Sequence, residues 1–169
     1  MPFATWLRER LGIPTRDELS GVTLALKDAW EVPATHDLAR LIRACGEMTP
    51  GSVLYLEDGA HPPALQQFLA AHHVPNPTRV SRHTLWPRPS VHHVPVNAET
   101  IDYLSAYAET VAGPEVCIHL VVYRDERVLV SAPDAPDDPV LINRHLPDEI
   151  VKAFVARLGF TREQVKTAR

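Results

Sequence analysis

The sequence predicts an α/β fold, with α+β as its near neighbour, built on a single mixed sheet flanked by helices. Three observations lead there. Two apolar runs of strand length, residues 22–26 and 53–56, are each followed by an amphipathic stretch of helical period. A third run, residues 116–123, meets residues 128–130 across the polar tetrad Arg124, Asp125, Glu126 and Arg127, which reads as an antiparallel hairpin. Finally, 169 residues with 45% hydrophobic and 22% charged side chains can bury one real core, so a single domain over residues 1–169 is expected.

Along the chain, Phe3, Leu7 and Leu11 share a face of a short helix over residues 3–11, which Pro14 ends. Residues 22–26 form the first predicted strand. Thr35 is placed to cap a helix carrying Leu38, Leu41, Ile42 and Cys45, and Gly46 stops it. Residues 53–56 form the second strand and turn at Glu57, Asp58 and Gly59. Pro62 and Pro63 then open a helix whose buried stripe is Leu65, Phe68 and Leu69. Two strand-helix units in succession predict parallel strands joined by right-handed crossovers.

Residues 74–96 are less regular, with Pro87 and Pro89 dividing two extended segments or marking a sheet edge. Asn97 caps a helix bearing Ile101, Leu104, Ala108 and Val111, ended by Gly113 and Pro114. After the hairpin, an Asp- and Pro-rich loop leads to a short strand at 140–142. Pro147 opens a helix with Asp148 and Glu149 in the first turn, where the dipole favours them. Ile150, Val151, Phe154, Val155 and Leu158 face the core, Gly159 stops the helix, and Thr161 with Gln164 stands at capping-box spacing.

Composition narrows the function classes. A net charge of −4 gives no basic stripe for phosphate neutralisation, so nucleic acid is not an expected partner. No apolar run is long enough to span a membrane, and charges interrupt the first twelve residues too early for an export signal. A cytoplasmic protein is therefore expected, with Cys45 and Cys117 as reduced buried thiols. Arginine outnumbers lysine 14 to 3, a bias typical of GC-rich bacterial genomes.

The motifs that chemistry forces on a sequence are missing. The glycines form neither a dinucleotide fingerprint nor a phosphate-binding loop, no serine sits in a nucleophile elbow, and no histidine or cysteine pair has zinc spacing. No cofactor and no metal are expected. Nine histidines still merit inspection. His72 and His73 point about 100° apart at a helix end, and alternation sends His92 and His93 to opposite faces, with His83 in a neighbouring extended segment.

Three constellations could carry chemistry. With Asp125 and Glu126 as the hairpin loop, Tyr123 would oppose Val128, Val121 would oppose Val130, and His119 would oppose Ala132. Cys117, His119, Val121 and Tyr123 would then share one face with Asp134 near its open end, a formal nucleophile, base and orienter. Ligands of open α/β sheets gather beyond the carboxyl ends of strands, where Asp28, Glu57, Asp58 and His61 would meet along one rim. Asp134, Asp137 and Asp138 form an acidic loop that could take calcium and equally a solvated turn.

The functional expectation is a non-catalytic binding module that engages a protein partner or a second copy of itself. Trp6, Trp30 and Trp86 are its candidate aromatic anchors. The alternative is a small hydrolase, with or without a metal, using the rim of carboxylates and His61.

Overall fold

The computed structural model describes residues 20–48, 50–57, 59–84 and 89–169. Among these residues seven strands form a sheet: β1 (Ala29–Val32), β2 (Val53–Glu57), β3 (Val91–Pro95), β4 (His119–Arg124), β5 (Arg127–Ala132), β6 (Val140–Asn143) and β7 (Lys166–Thr167). Five α-helices accompany them among the described residues: α1 (Leu38–Cys45), α2 (Pro63–Ala71), α3 (Ala98–Ala108), the single turn α4 (Gly113–Val116) and α5 (Asp148–Arg157). The predicted helix over residues 3–11 lies outside the described residues.

The α/β class stands, but the strand pairing differs from the expected crossovers. The spatial order is β3-β2-β4-β5-β6-β1-β7 and every neighbouring pair is antiparallel. Counting through the alternating directions, β1 and β2 do run the same way, with α1 between them in sequence. They are not neighbours, however, because β4, β5 and β6 lie between. The second unit returns through α2 to β3, which lies antiparallel beside β2. Strand and helix periods are readable locally, whereas the choice of neighbour is made by strands that arrive later in the chain.

The first strand also shifts. Residues 22–26 are not in the sheet: Val22 forms an isolated bridge to Val80, Leu26–Asp28 is a 3-10 turn, and the strand begins at Ala29. Likewise α1 is capped by Asp37, whose side chain accepts from the Arg40 N–H at 2.9 Å, rather than by Thr35. The Asn97 cap, the Pro-opened starts of α2 and α5 and the stop at Gly159, with φ of +85°, are as predicted.

The two faces of the sheet have different covers. One carries Leu54, Leu56, Leu120, Val122, Val130 and Ile142 against α1, α2, α3 and α5, forming the main core with Phe154 fully buried. The other buries Tyr55, Val121, Tyr123 and Val128 under Leu24 and Val80. That second cover is irregular chain. Val22 N–H donates to the Arg79 carbonyl and Ser81 N–H to the Val22 carbonyl, at 2.9 and 3.0 Å. Gly21 permits the contact, since a Cβ there would lie 2.5 Å from the Val80 carbonyl carbon.

Cys45 and Cys117 are both free and completely buried in the main core. Burial raises both thiols, Cys117 to about 12 and Cys45 further, with Cys117 adding to the rise at Cys45. Neither thiolate is available to react, so a thiol-specific disulfide reagent should leave both untouched in the native protein and modify both once urea unfolds it. Rapid reaction of either in native buffer would contradict this packing.

Candidate functional site

The second face concentrates the polar chemistry of the molecule. Strand alternation puts Val53, Tyr55 and Glu57 of β2 on it together. Register then sets His93 and Val91 of β3 opposite Tyr55 and Glu57 on one side, and Val121 and His119 of β4 opposite them on the other. Residues 78–84 lie over this face as a strap.

Glu57 fastens the strap. Its side chain is fully buried, yet both oxygens are occupied. Tyr55 donates its hydroxyl to Oε2 at 2.7 Å, Thr84 its backbone N–H to Oε1 at 2.6 Å, and His83 its N–H to both oxygens at 2.9 and 3.1 Å. A buried carboxyl group is tolerable only when its acceptor capacity is filled in this way. Burial and the neighbouring Glu57 carboxylate together push the Tyr55 phenol well above its ordinary range, so it remains a donor.

His119 continues the network. The Asp134 backbone N–H lies 3.0 Å from Nδ1, so Nδ1 must be an acceptor and the ring proton sits on Nε2. That nitrogen is 3.1 Å from Thr84 Oγ1 and donates to it. The Asp134 carboxylate stays 3.7 Å from Nδ1 and is mostly exposed. Thr84, His119 and Asp134 thus have the order of a nucleophile, base and orienter, but with the opposite tautomer: a base must offer a lone pair to the hydroxyl. His83 lies beside this pair, its ring centroid 5.0 Å from that of His119. Burial and the neighbouring His119 lower its basicity.

The predicted companion of His119, Cys117, is elsewhere. It precedes β4, directly after the α4 turn, and points into the main core. The hairpin register also differs. Tyr123 opposes Val128 as expected, but Leu129 is an extra residue that bulges the strand, so Val121 opposes Ser131 and Ala132 opposes Leu120 rather than His119.

On the β3 side, Tyr123 and His93 form a second pair, the hydroxyl oxygen lying 3.0 Å from His93 Nδ1. His93 is 7% exposed, and burial, reinforced by His73 and His92, lowers its pKa to about 4. It is therefore a neutral ring. Beside it opens a recess of about 250 Å³ lined by Tyr55, Arg79, Val80, Arg82, Val91 and His93. Nη1 of Arg82, one of these lining residues, is shut off from solvent with no hydrogen-bond partner among the described residues. Leaving such a donor unpaired costs roughly 1–3 kcal/mol, and more for a charged group.

The predicted carboxylate rim does not assemble. Asp28 precedes β1 while Glu57 ends β2, and since these strands run the same way the two acids sit at opposite ends of the sheet. Asp28 instead pairs with exposed His145 at 3.5 Å. His61 is buried with Nε2 2.8 Å from the Val116 carbonyl, and its ring meets His92, which stands opposite Leu56 and so on the helix-covered face, away from Glu57. Asp58 lies outside the described residues, as do Trp6 and Trp86. Trp30 packs against the main core with Arg162 over its ring at 4.8 Å. Among the described residues no group of three or more His, Cys, Asp or Glu side chains could hold a metal ion. Asp137 of the acidic loop pairs with His36 at 3.0 Å.

Sequence reasoning missed Tyr55, Thr84, Arg82 and the pairing of His93. The signal for Tyr55 and Glu57 was their spacing of two on a predicted strand; for Arg82 and Thr84 the irregular segment offered none. No helix among the described residues is long and apolar enough to cross a membrane. No protein-family model matches this chain, and no curated protein or solved structure is significantly similar to it.

Proposed function

We propose that the chain is a non-catalytic binding module whose recognition surface is the second face of the sheet, where the strap borders β3. The observation that carries this reading is the state of the proton-carrying groups. A hydrolytic base needs a lone pair aimed at its nucleophile. His119 offers Thr84 an N–H instead, Glu57 has both oxygens filled, and Nε2 of His61 is bound to a backbone carbonyl. The recess beside them, by contrast, is lined by Arg82, whose Nη1 has no acceptor among the described residues.

The test compares hydrolysis of para-nitrophenyl acetate and para-nitrophenyl phosphate by the native chain, Thr84→Ala and His119→Gln. The expected result is the same background rate in all three. A native rate that drops roughly 10²–10⁴-fold in either variant, as on removal of a general base, would replace this reading by a Thr84–His119–Asp134 hydrolase.

A further inference from the structure

We infer that the recess between the strap and β3 binds a small oxyanion, a carboxylate or phosphate group, on the guanidinium of Arg82. This deepens, and rests on, the binding reading of that face. A guanidinium is permanently charged and directs five N–H groups in a fixed fork that matches two oxygens of a carboxylate or phosphate. Arg82 lines the recess, and its Nη1, sealed from solvent, has no hydrogen-bond partner among the described residues, so a small turn of the side chain toward an acceptor in the recess completes its hydrogen bonding.

The surroundings suit an anion. Arg79 and Arg82 both line the recess, and no carboxylate is among its described lining residues. The buried carboxyl group nearby, Glu57, is already saturated and draws the Tyr55 hydroxyl to itself. His93, neutral and bonded through Nδ1 to Tyr123, adds no negative charge to the lining. The strap segment that carries both arginines is held in place before any ligand arrives, through the Val22–Val80 bridge and the Glu57 bonds. At about 250 Å³ the space lies below the 300–1,000 Å³ usual for whole cofactors and drug-sized ligands, which favours a small anionic group.

The test is an NMR titration of the full chain with inorganic phosphate and, separately, with acetate, against sodium chloride at matched ionic strength. Saturable shifts at Val80, Ser81 and the Arg82 guanidinium are expected in the millimolar range, with affinity at least about tenfold weaker in Arg82→Gln and unchanged in Arg157→Gln, on helix α5 and outside the recess lining. Saturation by phosphate alone assigns a phosphoryl ligand; saturation by acetate assigns a carboxylate. No saturable shift with either anion, or equal affinity in Arg82→Gln, overturns the inference. If Arg82→Gln does not fold, Arg82→Lys serves: it keeps the charge and loses the fork, so undiminished affinity would again refute the site. Silent titrations with silent hydrolysis remove the anion site alone. His119-dependent turnover removes the non-catalytic reading and leaves the titration result standing.

Discussion

Replacing Glu57 with alanine should destabilise the protein by about 3–5 kcal/mol, the cost typical of removing one side of a buried charged hydrogen-bond set. The variant strands the N–H groups of His83 and Thr84 and the hydroxyl of Tyr55 on a fully buried face. Glu57→Gln is the informative companion. Its carbonyl can stay on the strap N–H groups, and its amide can donate to the Tyr55 oxygen, which then turns from donor to acceptor. What it loses is the charge-assisted part of each bond, about 1–2 kcal/mol in all. Urea unfolding of the three proteins should therefore rank native, Gln, Ala by falling midpoint at constant slope. If Glu57→Ala matched the native midpoint, the strap would not be fastened by this residue, and the ordering of Arg79 and Arg82 would need another cause.

How much of this was legible in the residues follows from which contacts are local. Helix caps, proline starts and the hairpin loop are set by neighbours a few positions away, and α2, the start of α3, α5 and the β4–β5 turn are as read, whereas α3 ends at Ala108 instead of carrying Val111 and running to Gly113. The rim of Asp28, Glu57 and His61 depended on where the first strand starts, which is Ala29 and puts Asp28 before it, and on which strands become neighbours. Nothing near residues 29–32 or 53–57 announces that three later strands will part them. The bulge at Leu129 is a smaller case: one added residue moves each later partner by one and breaks the expected His119–Ala132 pairing.

His119 and Asp134 did come together, because both lie at the same end of adjoining structure and alternation fixes the face of His119. Cys117 did not, because α4 ends just before it and the strand period starts only at His119. Thr84 takes the place proposed for the thiol, from a segment without periodicity. Networks built by an irregular strap are invisible to any pattern of two or 3.6 residues.

Acid should weaken the fold between pH 6.5 and 4, with His93 as the main cause. In the unfolded chain this imidazole takes a proton near its ordinary 6.5; in the native protein it does so only at about 4. Between those values the unfolded state binds more protons, so stability falls as pH falls through the window and is indifferent to this group below it. With the ring 7% exposed, the shift corresponds to as much as about 3 kcal/mol, at a slope approaching 1.4 kcal/mol per pH unit. His92, lowered likewise to about 4 by burial and by its neighbours His61 and His73, adds a loss of the same sign, smaller because its ring is partly solvated. Protonated His72 is instead favoured by the Phe68 carbonyl and by Glu99. Urea midpoints at about pH 7 and about pH 5 should thus fall together with pH in the native chain and much less in His93→Gln, which carries no titrating ring. The cause is burial first: this face offers the charged imidazolium little solvation, and His73 and His92 add to the cost of a second proton. An NMR titration placing the native His93 near 6.5 would refute it directly.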